Sequence, residues 1–300
     1  MMNEDHAALV ALLRTRPDRL TWRKITDEVL EYGNAREVWD LHNPPGLIPC
    51  PDAEAAIKAG REDIEVWGQE GLRFLTVSDR AFPQRLLDIV ETPPFLFAQG
   101  TTSDNDPGVS VVGSRKASPR GVEMAANIAG FLVSQRLTVI SGLATGIDAA
   151  AHRAALDSGG RTVAFIATGL HRSYPAQNRS LQAEIARRGL VLSQFWPDAP
   201  PQKQNFLMRN ALMSGYGLAT IVVEAGETSG ARAQARMAVE HGRPVILTDL
   251  VVQRNEWARA LMERPGVHMV SGWREIGPIV EEIRSGPDRV NEALRQLAAR

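Results

Sequence analysis

Gly113-Ser114-Arg115 stands between an apolar run, Val109 to Val112, and a stretch in which Val122, Ala125, Ala126, Ala129, Leu132 and Val133 recur with helical spacing. A strand ends there and a helix begins. Ser118 suits the N-cap of that helix and Pro119 its first position, where a missing N–H costs nothing. Ser114 and Arg115 therefore fall on a βα turn, facing a helix N-terminus with unpaired N–H groups and a partial positive charge. The chemistry suited to that place is the binding of an anion.

Similar polar turns recur along the chain: "SGLATGID", "TGLHRSYPAQN", "SQFWPDAPPQKQNFLMRN" and "EAGETSG" each follow a predicted strand. Each supplies hydroxyls, glycine N–H groups, an arginine or a helix start, which are the donors phosphate oxygens require. Any one of them alone reads as a capped helix; five in consecutive βα turns point to a shared ligand. Other chemistries lack their motifs. Gly142 and Gly146 do not have the G-x-G-x-x-G spacing of a dinucleotide site, and neither a P-loop nor G-x-S-x-G nor H-E-x-x-H occurs. Asp148 and His152, four apart on a predicted helix, read as an acid-base couple or, more commonly, as a surface pair or a helix-start Asp. The single cysteine, Cys50, supports neither a disulfide framework nor a zinc site.

The elements that must position these turns follow from the hydrophobic pattern. With 300 residues, 44% of them hydrophobic, the chain can bury one sizeable core and a smaller second one. A net charge of -1 means that any nucleic-acid contact must come from a local basic patch. The N-terminus does not resemble a signal peptide and no apolar run reaches membrane-spanning length, so a cytoplasmic protein without membrane attachment is expected. Residues 1–56 read as a small helical N-terminal domain. Residues 57–285 carry the main domain, and 286–300 form a charged C-terminal tail. In the main domain "LRFLTVSD" and "PPFLFAQG" read as strands around a helix "FPQRLLDIVE". From "VSVVG" to "PVILTD" strands and helices then alternate regularly, and the tail adds a short strand "VHMV". Such alternation predicts an α/β fold with a doubly wound, mainly parallel sheet whose sites lie at the carboxyl ends of the strands.

The pieces "DRAFPQRLLDIVETPPFLFAQG", "VVGSRKASPRG", "VISGLATGIDAAAHRAAL", "GLHRSYPAQNRSL", "LVLSQF", "NFLMRN" and "IVVEAGETSGARAQARMAVEHGRPV" together resemble the DNA-processing protein A (DprA, or Smf) family in order and spacing, over roughly residues 65 to 248. The resemblance implies an extended Rossmann-like domain. It also implies binding of single-stranded DNA, homodimerisation and the loading of a RecA-type recombinase during natural transformation, with no cofactor, metal or catalytic residue. Carried over by motif, the phosphate pocket would use Gly113, Ser114, Arg115, Gly142, Gly146, Asn178, Arg209, Asn210, Ser229 and Gly230. Phe206 and Tyr174 would be placed to stack on bases, and Lys203 and Arg172 would lead a basic rim that also draws on Arg179, Arg187, Arg188, Arg232, Arg236 and Arg243. Simpler roles compete: a salt bridge for Arg115, capping for Asn178 and Asn210, core packing for Phe206, a solvated helix face for most of the rim. The chain departs from the family pattern at Gln194, Ala211 and Thr248-Asp249, and the winged-helix-like domain of many relatives is not expected after residue 285.

Two other functions fit the same superfamily. A nucleoside-monophosphate phosphoribohydrolase would need a carboxylate on the helix after Ser229-Gly230, where this chain has Ala231, Arg232, Ala233 and Gln234. Glu224 and Glu227 lie nearby, on the strand end and in the turn. A sensor of a free nucleotide signal, for instance in phage defence, would use the same pocket as DNA.

Overall fold

A computed structural model describes residues 2–44, 51–104 and 106–285; Cys50 and the expected tail 286–300 lie outside these. The N-terminal segment folds as α1 (Met2–Thr15), α2 (Trp22–Tyr32), α3 (Ala35–His42) and α4 (Pro51–Gln69). Gly33, with φ +81°, ends α2, and the Asn34 side chain caps α3 by accepting from the Glu37 N–H, so two helices form there. Residues Ala7 to Leu13 of α1 are buried on every side, against α3, α4 and the sheet edge. The expected boundary at residue 56 falls inside α4, and the hydrophobic core runs unbroken from α1 into the sheet.

The sheet has nine strands: β1 (Arg73–Thr76), β2 (Phe95–Gly100), β3 (Gly108–Val112), β4 (Thr138–Ser141), β5 (Thr162–Phe165), β6 (Leu190–Ser193), β7 (Ala219–Val222), β8 (Val245–Thr248) and β9 (Val267–Val270). Between them run α5 (Pro119–Ser134), α6 (Ile147–Asp157), α7 (Arg179–Arg188), α8 (Lys203–Tyr216), α9 (Gly230–Glu240), the short α10 (Asp249–Val252) and α11 (Glu256–Leu261); α12 covers 276–285. The order is β1-β2-β6-β5-β4-β3-β7-β8-β9. β1 pairs antiparallel with β2 and β2 with β6, and every other pair is parallel. The doubly wound, mainly parallel sheet is as expected. One predicted helix is not: "FPQRLLDIVE" makes only a single 3-10 turn, Gln84–Asp88. Pro83 precedes it in extended conformation, and Thr92 Oγ1 binds the Leu86 and Ile89 carbonyls at 2.6 Å each, holding the chain in turns.

Successive residues of β3 face opposite cores. Val109 and Val111 join α5, α6 and α12, whereas Ser110 donates to the Met213 carbonyl of α8 at 2.8 Å and Val112 joins the core beneath α8 and α9. After β3 the chain winds outward through β4, β5 and β6, then returns along α8 to lay β7 on the other flank of β3. That reversal opens a crevice at the carboxyl ends of β3 and β7.

Candidate nucleic-acid interface

The crevice holds a cavity of about 460 Å³, walled by the turn after β3, the first half of α8 and the turn that starts α9. A smaller space of about 100 Å³ adjoins it and shares Arg115, Phe206 and Arg209. The β3 turn is fixed from three sides. The Ser114 N–H donates to the Glu224 carbonyl at 2.6 Å, the Ile147 N–H to the Ser114 carbonyl at 3.2 Å, and Thr145 Oγ1 to the Arg115 carbonyl at 3.0 Å. Gly146 has φ +74°, and a Cβ there would run into the Ser114 carbonyl, so only glycine lets the turns after β3 and β4 pack together. Ser118 caps α5 as expected, its Oγ accepting the Gly121 N–H at 3.1 Å.

Arg115 emerges from this turn exposed, with its guanidinium 4.9 Å from the Phe206 ring centroid. No acid pairs with it among the described residues. Phe206 is half-buried on the first turn of α8 and meets Tyr174 edge-on at 5.6 Å, Tyr174 itself being 45% exposed. Cation and aromatics thus form one exposed platform at the cavity mouth. Lys116, next along the turn and also exposed, lines the same cavity.

Several expected ligand contacts are instead engaged with the protein. The Asn178 amide donates to the Leu143 and Ala144 carbonyls at 2.9 and 3.2 Å, is buried, and lines neither cavity. Arg209 is buried as well, and Nη1 donates to the Gly142 carbonyl and to the Phe165 carbonyl at 3.0 Å, holding the ends of β4 and β5 while one side faces both cavities. Burial lowers its pKa to about 10, the nearby Arg115 adding to the effect and Asp148 opposing it, so it stays cationic at neutral pH. Asn210 links the walls: Oδ1 accepts from Arg209 Nε at 3.2 Å and Nδ2 donates to the Gly230 carbonyl at 3.3 Å. Ser229 caps α9 by accepting the Ala231 N–H at 3.2 Å, with Gly230 at the helix start.

Lys203, at the start of α8, and Arg172, whose Nε donates to the Asp198 carbonyl at 3.4 Å, are exposed but line neither cavity. Most of the wider rim is occupied elsewhere. Arg187 and Arg188 pair with Glu184, Arg236 with Glu240, and Arg243 with Asp88. Asp148 and His152 are neither a surface pair nor a couple. Asp148 Oδ2 accepts the Gly142 and Ala144 N–H groups at 3.2 and 3.3 Å, and its pKa is raised by burial. His152 Nδ1 meets Thr162 Oγ1 at 2.7 Å. Glu224 and Glu227 are likewise committed. Glu224 Oε2 accepts from Ser118, and Glu227 Oε1 accepts the Glu256 N–H at the start of α11. Gln194 and Ala211, where the chain departs from its relatives, are buried and line neither cavity, and Asp249 pairs with Arg120 at 2.8 Å.

Among the cavity residues that sequence reasoning did not single out as ligand contacts are Lys116, Thr228 and Gln234. Lys116 was legible as the neighbour of Arg115. For Gln234 the spacing from Ser229, just over one helical turn, is the signal available.

Comparison with known proteins agrees with this architecture. DNA processing protein DprA of Streptococcus pneumoniae is 40% identical over 171 residues, 57% of this chain and 60% of that protein. Protein Smf of Synechocystis is 38% identical over 187 residues, 61% of this chain and 47% of that protein. The chain therefore matches only about half to three-fifths of the length of these relatives. The X-ray structure of the Streptococcus pneumoniae protein superposes with a TM-score of 0.69 at 29% identity, covering 92% of this chain and 97% of that one. A structure of DNA processing protein A from Helicobacter pylori, described for its single-stranded DNA binding mode, gives a TM-score of 0.61 at 25% identity over 71% of this chain and 96% of that one. The family model of DNA recombination-mediator protein A matches residues 73–270, the whole of the nine-stranded sheet, and the chain belongs to that family.

Proposed function

We propose that this protein binds single-stranded DNA at the crevice between β3 and β7 without cleaving it, as a DNA-processing protein that presents the strand to a RecA-type recombinase. The observation that carries this reading is Arg115 poised over Phe206 at the cavity mouth. A guanidinium beside an aromatic ring offers charge to a phosphate while the faces of Phe206 and the exposed Tyr174 offer a surface on which an unpaired base stacks. Such a platform needs the π-face of a base to be accessible, which single strands provide and duplexes do not. The carboxylates nearest the crevice, Glu224 and Asp148, are bound to backbone N–H groups, which fits a binding site better than a hydrolytic one. A recombinase partner and a homodimer, as the family resemblance implies, and a cytoplasmic setting, as the N-terminal sequence suggests, belong to the same proposal.

The test is fluorescence anisotropy of a labelled single strand across a salt series, for wild type and Arg115→Ala, with unlabelled duplex as competitor. Log K falls against log salt with a slope of about -0.7 per phosphate engaged, and Arg115→Ala binds more weakly with a shallower slope. Duplex competes poorly. Failure of wild type to bind at low salt overturns the reading.

A further inference from the structure

One buried polar side chain lining the crevice has nothing to bond to. Gln234 lies on the second turn of α9, is 1% exposed, and neither its Oε1 nor its Nε2 has a hydrogen-bond partner. It lines the 460 Å³ cavity together with the apolar side chains of Val112, Met213 and Ala231. Side chains on a helix lean toward its N-terminus, and the N-terminal residues Ser229 and Gly230 line the same cavity, so the amide leans toward the crevice. A buried amide with both ends unpaired is costly in a folded protein, and a partner entering the crevice would relieve that cost.

Both ends of the amide constrain that ligand. A phosphate oxygen only accepts, and would satisfy Nε2 while leaving Oε1 bare. A partner for both atoms must offer a donor beside an acceptor on one planar edge, and must have apolar faces to lie among Val112, Met213 and Ala231. That is the description of a nucleobase, and glutamine meets such an edge with two parallel hydrogen bonds. The volume suits this ligand, since pockets for small organic molecules run from about 300 to 1,000 Å³. We infer that one unpaired base enters the cavity and is read by the Gln234 amide, while its phosphate stays at the mouth with Arg115 and Lys116. The inference rests on the DNA-binding reading above and adds base preference to it. Stacking on Phe206 is tolerant of sequence, whereas a two-bond contact at the floor is not.

The experiment measures binding of equal-length oligo(dA), oligo(dC), oligo(dT) and a fully abasic strand by wild type, Gln234→Met and Gln234→Glu. Wild type separates the homopolymers by roughly 5- to 150-fold, the range of one bidentate base contact. Gln234→Met, close in volume but without donor or acceptor, brings them to within about two-fold, as stacking alone would. Gln234→Glu, an acceptor only, shifts the preference toward cytosine. Because Gln234→Met removes an unsatisfied buried amide, its Tm rises rather than falls, which separates loss of base reading from loss of folding. A deoxynucleoside monophosphate of the preferred base that displaces the strand from wild type but not from Gln234→Met also supports the inference and shows that a free nucleotide can supply the base. Homopolymers that bind wild type equally, or keep the same order in Gln234→Met, overturn it while the DNA-binding reading stands. If wild type binds no strand, the abasic one included, both fall together.

Discussion

Oε2 of Glu224 accepts the Ser118 N–H at 2.9 Å and the Ser118 hydroxyl at 3.0 Å, joining the end of β7 to the N-cap of α5. The same residue's carbonyl takes the Ser114 N–H, so one residue clamps both ends of the turn that carries Arg115. A carboxylate at a helix N-terminus, 8% exposed, is placed for structure rather than for proton transfer. Glu224→Ala leaves half-buried donors at Ser118 unpaired and should lower stability by about 1 to 3 kcal/mol, with weaker DNA binding because the turn loosens. Denaturant titration with parallel anisotropy checks it. Hydrolysis of a nucleoside monophosphate by wild type, lost in Glu224→Gln, would contradict the clamp assignment.

Phe206 and Arg115 should separate in their salt dependence. Phe206→Leu keeps the apolar volume of the α8 turn but removes the aromatic face, costing about 1 to 3 kcal/mol of binding for the base it stacks. The slope of log K against log salt should stay as in wild type, since no cation is lost. Arg115→Lys keeps the charge and the slope and loses the stacked guanidinium, a smaller deficit of about 0.5 to 1 kcal/mol. A salt slope altered by Phe206→Leu would mean that the ring positions the cation rather than contacting a base.

His152 should make the protein sensitive to mild acid. It is fully buried and its pKa is lowered to about 3, chiefly by burial, with Arg209 and Arg153 further disfavouring a charge. The Thr162 hydroxyl gives its proton to the Val139 carbonyl at 2.7 Å, so His152 Nδ1–H donates to Thr162, and the lowered pKa leaves the ring neutral. In the unfolded chain the ring titrates near pH 6.5, so between about pH 6.5 and 3 the unfolded state binds the extra proton. Stability is complete above about pH 6.5 and falls with acid by about 1.4 kcal/mol per pH unit from this group, about 2 kcal/mol at pH 5. In His152→Gln that loss disappears. Urea titrations at neutral pH and at pH 5 should show the gap between variant and wild type shifting by this amount, and an unchanged gap would refute it.

What could be read from the sequence divides along physical lines. Parallel strands covered on both faces are short, mostly apolar runs, so Val109 to Val112 and Ala219 to Val223 announce themselves despite Ser110 and Thr220, and Ser118-Pro119 marks its helix start by local rules. Glu184 with Arg188, and Arg236 with Glu240, pair at i,i+4 on their own helices, a local spacing that accounts for the solvated helix face expected for most of the rim. Non-local needs stayed hidden. Whether Asn178 turns to a ligand or to the carbonyls of residues 143 and 144 depends on where β4 ends, and whether Gln234 is buried without a partner depends on how α9 meets β3 and α8. The single 3-10 turn at Gln84–Asp88 was hidden similarly, because apolar spacing does not reveal the Thr92 hydroxyl that takes over its carbonyls.

Arg209 and Gly142 form the last testable pair. The guanidinium lies against the backbone of Gly142, and a Cβ at that position would occupy the space of its Nη1. Arg209→Ala leaves the Gly142 and Phe165 carbonyls without this donor and buried Asp148 without a neighbouring cation, a loss of about 3 to 5 kcal/mol. Gly142→Ala forces the guanidinium away and should destabilise in the same direction, by about 1 to 3 kcal/mol. With Arg209 already truncated the new methyl has space, so the double variant should be more stable than the sum of the two losses predicts, by about 0.5 to 3 kcal/mol. A urea double-mutant cycle measures this coupling. Losses that add within about 0.5 kcal/mol would show that the two residues are not in contact in solution and that Arg209 is released toward the crevice, available to a phosphate.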